Sequence, residues 1–201
     1  MARLAESQGG DERAVELYDE ALRTSKAVKA KPVTSMILER MGIALLQRKD
    51  YERSQLLFED ALEINQKTGN RPGVSYSLNS LGWCARLQAD YPKARSCYCD
   101  GLQLIKQSGD NNDISNYLVD VGILLGVQGH PENFVRLLGL AEGLFPNIVK
   151  MLIPFSRAET EQYIEIARAA LGDEAYVAAY DAGKQMSLDE AVAYALKELG
   201  Q

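Results

Sequence analysis

The chain repeats itself every forty residues, and no other feature restricts its fold as strongly. Segments beginning near Thr34, Val74 and Ile114 align without gaps at that shift. Each opens with an apolar-periodic run that carries a glycine at one place: Met41-Gly42, Leu81-Gly82 and Val121-Gly122. Eight residues later comes a turn (Asp50-Tyr51, Asp90-Tyr91, His130-Pro131), and a second periodic run follows. The columns of that run also agree, as Ser54, Ala94 and Phe134; as Phe58, Tyr98 and Leu138; and as Ala61, Gly101 and Ala141. The stretch Asp11–Lys29 fits the same second half, with Ala14, Tyr18, Ala21 and Leu22 in those columns.

Glycine inside a helix costs up to about 1 kcal/mol relative to alanine. Gly42, Gly82 and Gly122 therefore point to places where a neighbouring helix approaches the backbone closely. Small residues at Ala21, Ala61, Gly101 and Ala141 suit the same approach from the second helix, and Tyr18, Phe58 and Tyr98 would fill the space between successive pairs. A single helix pair leaves too much apolar surface uncovered, so pairs must stack into a continuous core. The pattern predicts an all-α array of about 3.5 helix-turn-helix repeats, with Gly69-Asn70 and Gly109-Asp110 as left-handed helix caps. Aligning Met1 on Met41 puts Ala2 in the glycine column, so the chain is expected to begin inside a repeat, as a piece of a longer protein would.

The C-terminal stretch departs from the repeat. Residues 1–145 are expected to form the repeat array, 146–155, with Pro146 and Pro154, a connector, and 156–201 a three-helix cap. Ser156-x-x-Glu159 and Ser187-x-x-Glu190 are capping-box patterns for the first and last cap helices. Tyr163, Ile166, Ala167 and Ala170 should share the buried face of the first, Gly172 should end it, and Tyr176, Val177 and Tyr180 belong to the second. Leu188, Val192, Ala195, Leu196 and Leu199 mark the apolar side of the third. Residues 156–201 hold 4 Lys+Arg and 9 Asp+Glu, a net −5, as suits a solvated cap.

The Leu81-Gly82 pair, the Asp90-Tyr91 turn and the Ala94, Tyr98, Gly101 spacing resemble the tetratricopeptide repeat. That resemblance implies a right-handed solenoid whose first helices line a concave, partner-binding face. Leu137-Leu-Gly-Leu-Ala-Glu142, the run from Ala170 to Tyr180 and that from Met186 to Leu196 resemble, more narrowly, the C-terminal repeat region of bacterial STAND-class ATPases and LuxR- or AfsR-type transcriptional regulators. Membership implies a role in signalling or transcription regulation, sensing a partner or ligand. ATPase activity does not carry over, because the chain contains no G-x-x-x-x-G-K-[ST] loop. Phe134, in a column otherwise held by small residues, is expected to make the fourth repeat pack irregularly.

On the repeat columns the partner-binding face should include Glu39, Ile43, Asn79, Trp83, Arg86, Asn116, Val119 and Ile123. Trp83, the single tryptophan, is either an aromatic anchor for a partner segment or a core residue covered by a neighbouring helix. Glu39 and Ile43 stand where a carboxylate clamp would need cations or amides, which argues against that form of recognition. His130 falls in the turn column of Asp50 and Asp90, without a nucleophile motif. Cys97 and Cys99 diverge on their helix, and Cys84 lies on another, so all three read as small apolar residues rather than metal ligands. The tyrosines 163, 176, 180 and 194 read as packing between cap helices.

No catalytic constellation, cofactor site or metal site emerges. A net charge of −6 without a basic block argues against nucleic acid, and no apolar run reaches bilayer-spanning length. Three cysteines without a disulfide or zinc spacing point to a reducing cytoplasm. The expected function is non-catalytic binding of a protein or peptide segment in the repeat groove. The alternatives are a structural homodimerisation module and a domain that senses a small effector.

Overall fold

The computed structural model describes residues 11–106 and 111–200. Among them are eleven α-helices and no strand. These are α1 Asp11–Ala27, α2 Lys31–Gln47, α3 Tyr51–Thr68, α4 Arg71–Leu87, α5 Tyr91–Ile105, α6 Asn111–Val127, α7 Pro131–Leu144, α8 Ile148–Met151, α9 Pro154–Leu171, α10 Asp173–Lys184 and α11 Leu188–Glu198. The expected helix-turn-helix array is present as an all-α solenoid fold. The chain divides into two compact units, Met1–Cys97 and Tyr98–Gln201. The Gly109-Asp110 cap and the clipped start around Met1 and Ala2 lie outside the described residues.

The helices begin where local chemistry starts them. Pro32, Pro72, Pro131 and Pro154 each occupy the first or second helical position, where a missing N–H costs nothing. Asp50 accepts from the Arg53 amide at 3.3 Å, Asp90 from Lys93 at 3.2 Å and Asn70 from Gly73 at 3.2 Å. One residue before each second helix is left-handed: Lys49 at φ 61°, Ala89 at 60° and Gly129 at 85°. In two of those turns a side chain bears a conformation that glycine adopts freely. Ala89→Gly is expected to raise stability by about 1 kcal/mol, read as a higher urea midpoint. A lower midpoint would contradict the turn geometry.

In the first unit α2 packs against α1, α3 and α4 in turn. Gly42 meets Phe58 as its column predicts: a Cβ there would lie 2.4 Å from the ring, and Ser54 Oγ donates to the Gly42 carbonyl at 2.9 Å. Tyr18, Ile37 and Met41 form a cluster with Val15, Ala21, Leu22 and Leu57, which holds α1 on the pair behind it.

In the second unit Gly101 takes Tyr117 against its backbone, and the Tyr98 and Tyr117 rings meet edge to face at 6.4 Å. Phe134 is fully covered. A second glycine, Gly126, makes room for it beside Gly122, and its ring meets Tyr163 at 6.0 Å. The larger side chain is thus absorbed by added glycine.

The tail differs from expectation at three points. First, α9 starts at Pro154, so Ser156 is a buried helical residue and no capping box forms there; the proline preorganises the helix a turn early. Second, the connector contains the short helix α8, and Arg157 donates to the Leu152 carbonyl at 3.1 Å and also to that of Lys150. Third, Ile166, Ala170 and Val177 are exposed. The reason is that α10, more than α9, lies along α7. Glycines permit that approach: a Cβ on Gly139 would sit 2.1 Å from the Tyr180 carbonyl oxygen, and one on Gly183 2.0 Å from that of Arg136. Gly172 and the Ser187–Glu190 capping box do act as expected. Of the tyrosines expected to pack between cap helices, Tyr176 does so under the Arg168 guanidinium of α9 and stacks on Tyr180 of its own helix at 6.5 Å, whereas Tyr163 and Tyr194 meet Phe134 and Arg136 of α7.

Candidate partner-binding face

Within the first unit the columns that select Glu39 and Ile43 on α2, and Asn79, Trp83 and Arg86 on α4, are mostly under cover. Trp83 is 6% exposed and Ile43 7%; Glu39 and Arg86 are buried, and Asn79 is half-buried. Removing the Trp83 side chain would leave a core cavity, a change that costs about 3–5 kcal/mol. In the second unit Asn116 is half-buried, while Val119 and Ile123 are fully covered.

The same stripes come to the surface one and two turns earlier. Met36 precedes Glu39 by three residues and Ile43 by seven, and Tyr76 stands in the same relation to Asn79 and Trp83, so each pair shares a helix side. Met36 is 57% exposed and Tyr76 43%, with Val33 exposed one turn before Met36. Arg40, one turn after Met36, is half-buried and makes no ion pair or hydrogen bond among the described residues. Lys29, Lys31 and Arg71 stand exposed at the starts of α2 and α4, where the helix dipoles add partial positive charge. Two large apolar residues forty apart, at Met36 and Tyr76, were a readable signal; that the stripe surfaces only in its first turns was not.

Beneath this face runs a polar network that sequence columns do not reveal. Asn70 Nδ2 donates to Asn65 Oδ1 at 3.0 Å, and Asn65 Nδ2 to Ser77 Oγ at 3.2 Å. Ser77 Oγ donates to Glu39 Oε1, and Ser80 Oγ to Glu39 Oε2 at 3.0 Å. The chain of bonds ties α2, α3 and α4 together. Burial pushes the Glu39 carboxyl up to about 7, and the Ser77 and Ser80 hydroxyls and the nearby Arg40 charge restrain the rise. Glu39 is therefore a structural carboxyl shared between helices rather than an exposed contact.

The other candidate residues stand apart from this network. His130 is an exposed residue at the start of α7. Cys84 and Cys99 are buried as small apolar residues, whereas Cys97 is half-buried. Among the described residues no cluster of three or more His, Cys, Asp or Glu could hold a metal, and no helix is long and apolar enough to cross a membrane.

Residues 33–107 match the tetratricopeptide repeat family. Its repeats are generally non-catalytic scaffolds for protein–protein interaction, and the matched span contains the whole of α4 and most of α2. Over its full length the chain is similar to the crystal structure of BtubC (BKLC) from P. vanneervenii, covering 79% of that chain with a TM-score of 0.64 at 16% identity. At that identity the likeness concerns the fold. No curated protein matches the chain.

Proposed function

We propose that this chain is a non-catalytic interaction module that binds a segment of a partner protein on the α2–α4 face. Val33, Met36 and Tyr76 are the apolar contacts, Arg40 and Asn79 set register, and Ile43 and Trp83 form the floor beneath them. The observation that carries the reading is the exposure of Met36 and Tyr76 in equivalent columns of α2 and α4, where Ile43 and Trp83 further along the same stripes are buried. In the second unit Asn116, at the column of Met36 and Tyr76, is the corresponding contact, over a floor of Val119 and Ile123. The C-terminal resemblance to STAND-class and LuxR- or AfsR-type regulators supports a cytoplasmic role in bacterial signalling or transcription regulation.

Met36→Glu places a charge where an apolar anchor should dock and should cost a partner at least tenfold in affinity. Leu56→Glu, on an exposed site of α3, serves as the control. In affinity capture with the purified chain as bait, a partner held by wild type and by the Leu56 variant should be lost from the Met36 variant. Equal retention by all three baits would remove the face from consideration.

A further inference from the structure

We propose that the chain assembles with copies of itself, the Val33–Met36–Arg40 face of one copy receiving the outer stripe of α10 from another. This rests on the α2–α4 face being a docking surface, as proposed above, and names one occupant of it.

The occupant is identified by complementary chemistry. Helix α10 is seated on α7 through its inner side, where Tyr176, Ala179 and Gly183 are buried. Its other side carries Asp173, Glu174, Val177 and Asp181, spaced to share one stripe and all exposed. Val177 is 50% exposed at the centre of that stripe. Asp173 is paired with Arg168 at 2.7 Å, whereas Glu174 and Asp181 make no ion pair among the described residues. The stripe is thus one apolar anchor beside three carboxylates, with Lys184 at its C-terminal end laid over the Tyr180 ring.

The α2–α4 face is its counterpart in charge. Val33, Met36 and Tyr76 supply apolar surface, and Lys29, Lys31 and Arg40 make no ion pair among the described residues. The starts of α2 and α4 favour carboxylates through their dipoles. Val177 set against Met36 and Tyr76 would bring Glu174 and Asp181 among these cations.

The two surfaces differ, so each contact joins unlike patches, and every copy carries one of each. One helix laid on one face buries less than an ordinary stable interface, so association should be weak. With exposed charges around it, association should also fall as salt screens them.

Sedimentation velocity on the full chain tests this, with samples rising into the millimolar range at low salt. The average mass of wild type should climb above that of a monomer with concentration and fall back at high salt. Met36→Glu and Val177→Lys alter exposed positions, and circular dichroism will verify that both remain helical. Each variant alone should stay monomeric. Their mixture retains one intact face and one intact α10 stripe, so it should form a one-to-one dimer that grows no further.

A wild-type chain that stays monomeric throughout overturns the proposal, as does association by either variant alone or a mixture that fails to pair. The partner reading stands or falls separately, on affinity capture at concentrations where the chain is monomeric.

Discussion

Gly183→Val is expected to destabilise the second unit by about 3 kcal/mol or more, because the added carbons meet backbone that cannot turn aside. A Cβ on Gly183 would already lie 2.0 Å from the Arg136 carbonyl oxygen and 3.0 Å from the Leu140 amide nitrogen. Relief requires moving α10 off α7, which would also uncover Tyr176 and Ala179. In a chain of this size such a loss lowers the melting temperature by about 10 °C, read by circular dichroism. Ala182→Val, at the exposed neighbouring position, should change stability by no more than about 0.5 kcal/mol. Equal melting of the two variants would rule out the close helix contact. Gly139→Ala tests the contact from the other helix, and combining it with Gly183→Ala should be less than additive, since either change alone already separates the pair.

The first unit should lose stability as pH rises from about 4.5 to about 7. Glu39 has its folded pKa raised from 4.5 to about 7 by burial. The unfolded chain therefore releases this proton first, and between those values it binds fewer protons than the folded chain. The sign follows: stability is full below the unfolded pKa, declines as pH climbs through the window, and levels off above the folded value. The shift corresponds to about 3 kcal/mol. Glu39→Gln keeps an acceptor for Ser77 and Ser80 but cannot ionise, so its stability should be flat across the window.

Urea titrations followed by Trp83 fluorescence report on the unit that contains Glu39. The difference between wild type and Glu39→Gln isolates this carboxyl from others. Glu63 and Glu190 are held below their ordinary value by Lys67 and Ser187 respectively, and they act in the opposite sense at lower pH. A wild-type midpoint that does not move between pH 5 and 7 would mean that the carboxyl is not shielded as described.

Both expectations concern features that differ in how far the sequence announces them. The forty-residue period placed the helices, and the columns of Gly42 with Phe58 and of Gly101 were correct as close contacts, because a repeat encodes the same local packing problem each time. The first-helix stripes were also placed on the correct helices. Burial along them was not legible, since it depends on which turns of α2 and α4 meet; the bond from Ser77 to Glu39 joins residues thirty-eight positions apart. The position of the tail was hidden for a related reason. Ile166 and Val177 have the spacing of core residues, yet Gly139 and Gly183 let α10 press on α7, and those two apolar residues are left in solvent.

By itself the sequence determined that this protein is built of helix pairs and where the repeats turn, at Asp50, Asp90 and His130. Those are local matters, settled by periodicity, proline and capping chemistry within a few residues. Only the tertiary structure decided that Glu39 is a buried carboxyl, that Met36 and Tyr76 rather than Trp83 meet the solvent, and that α10 turns an acidic stripe outward. Exposure and pKa depend on what distant segments place over a side chain, and no local pattern carries that information.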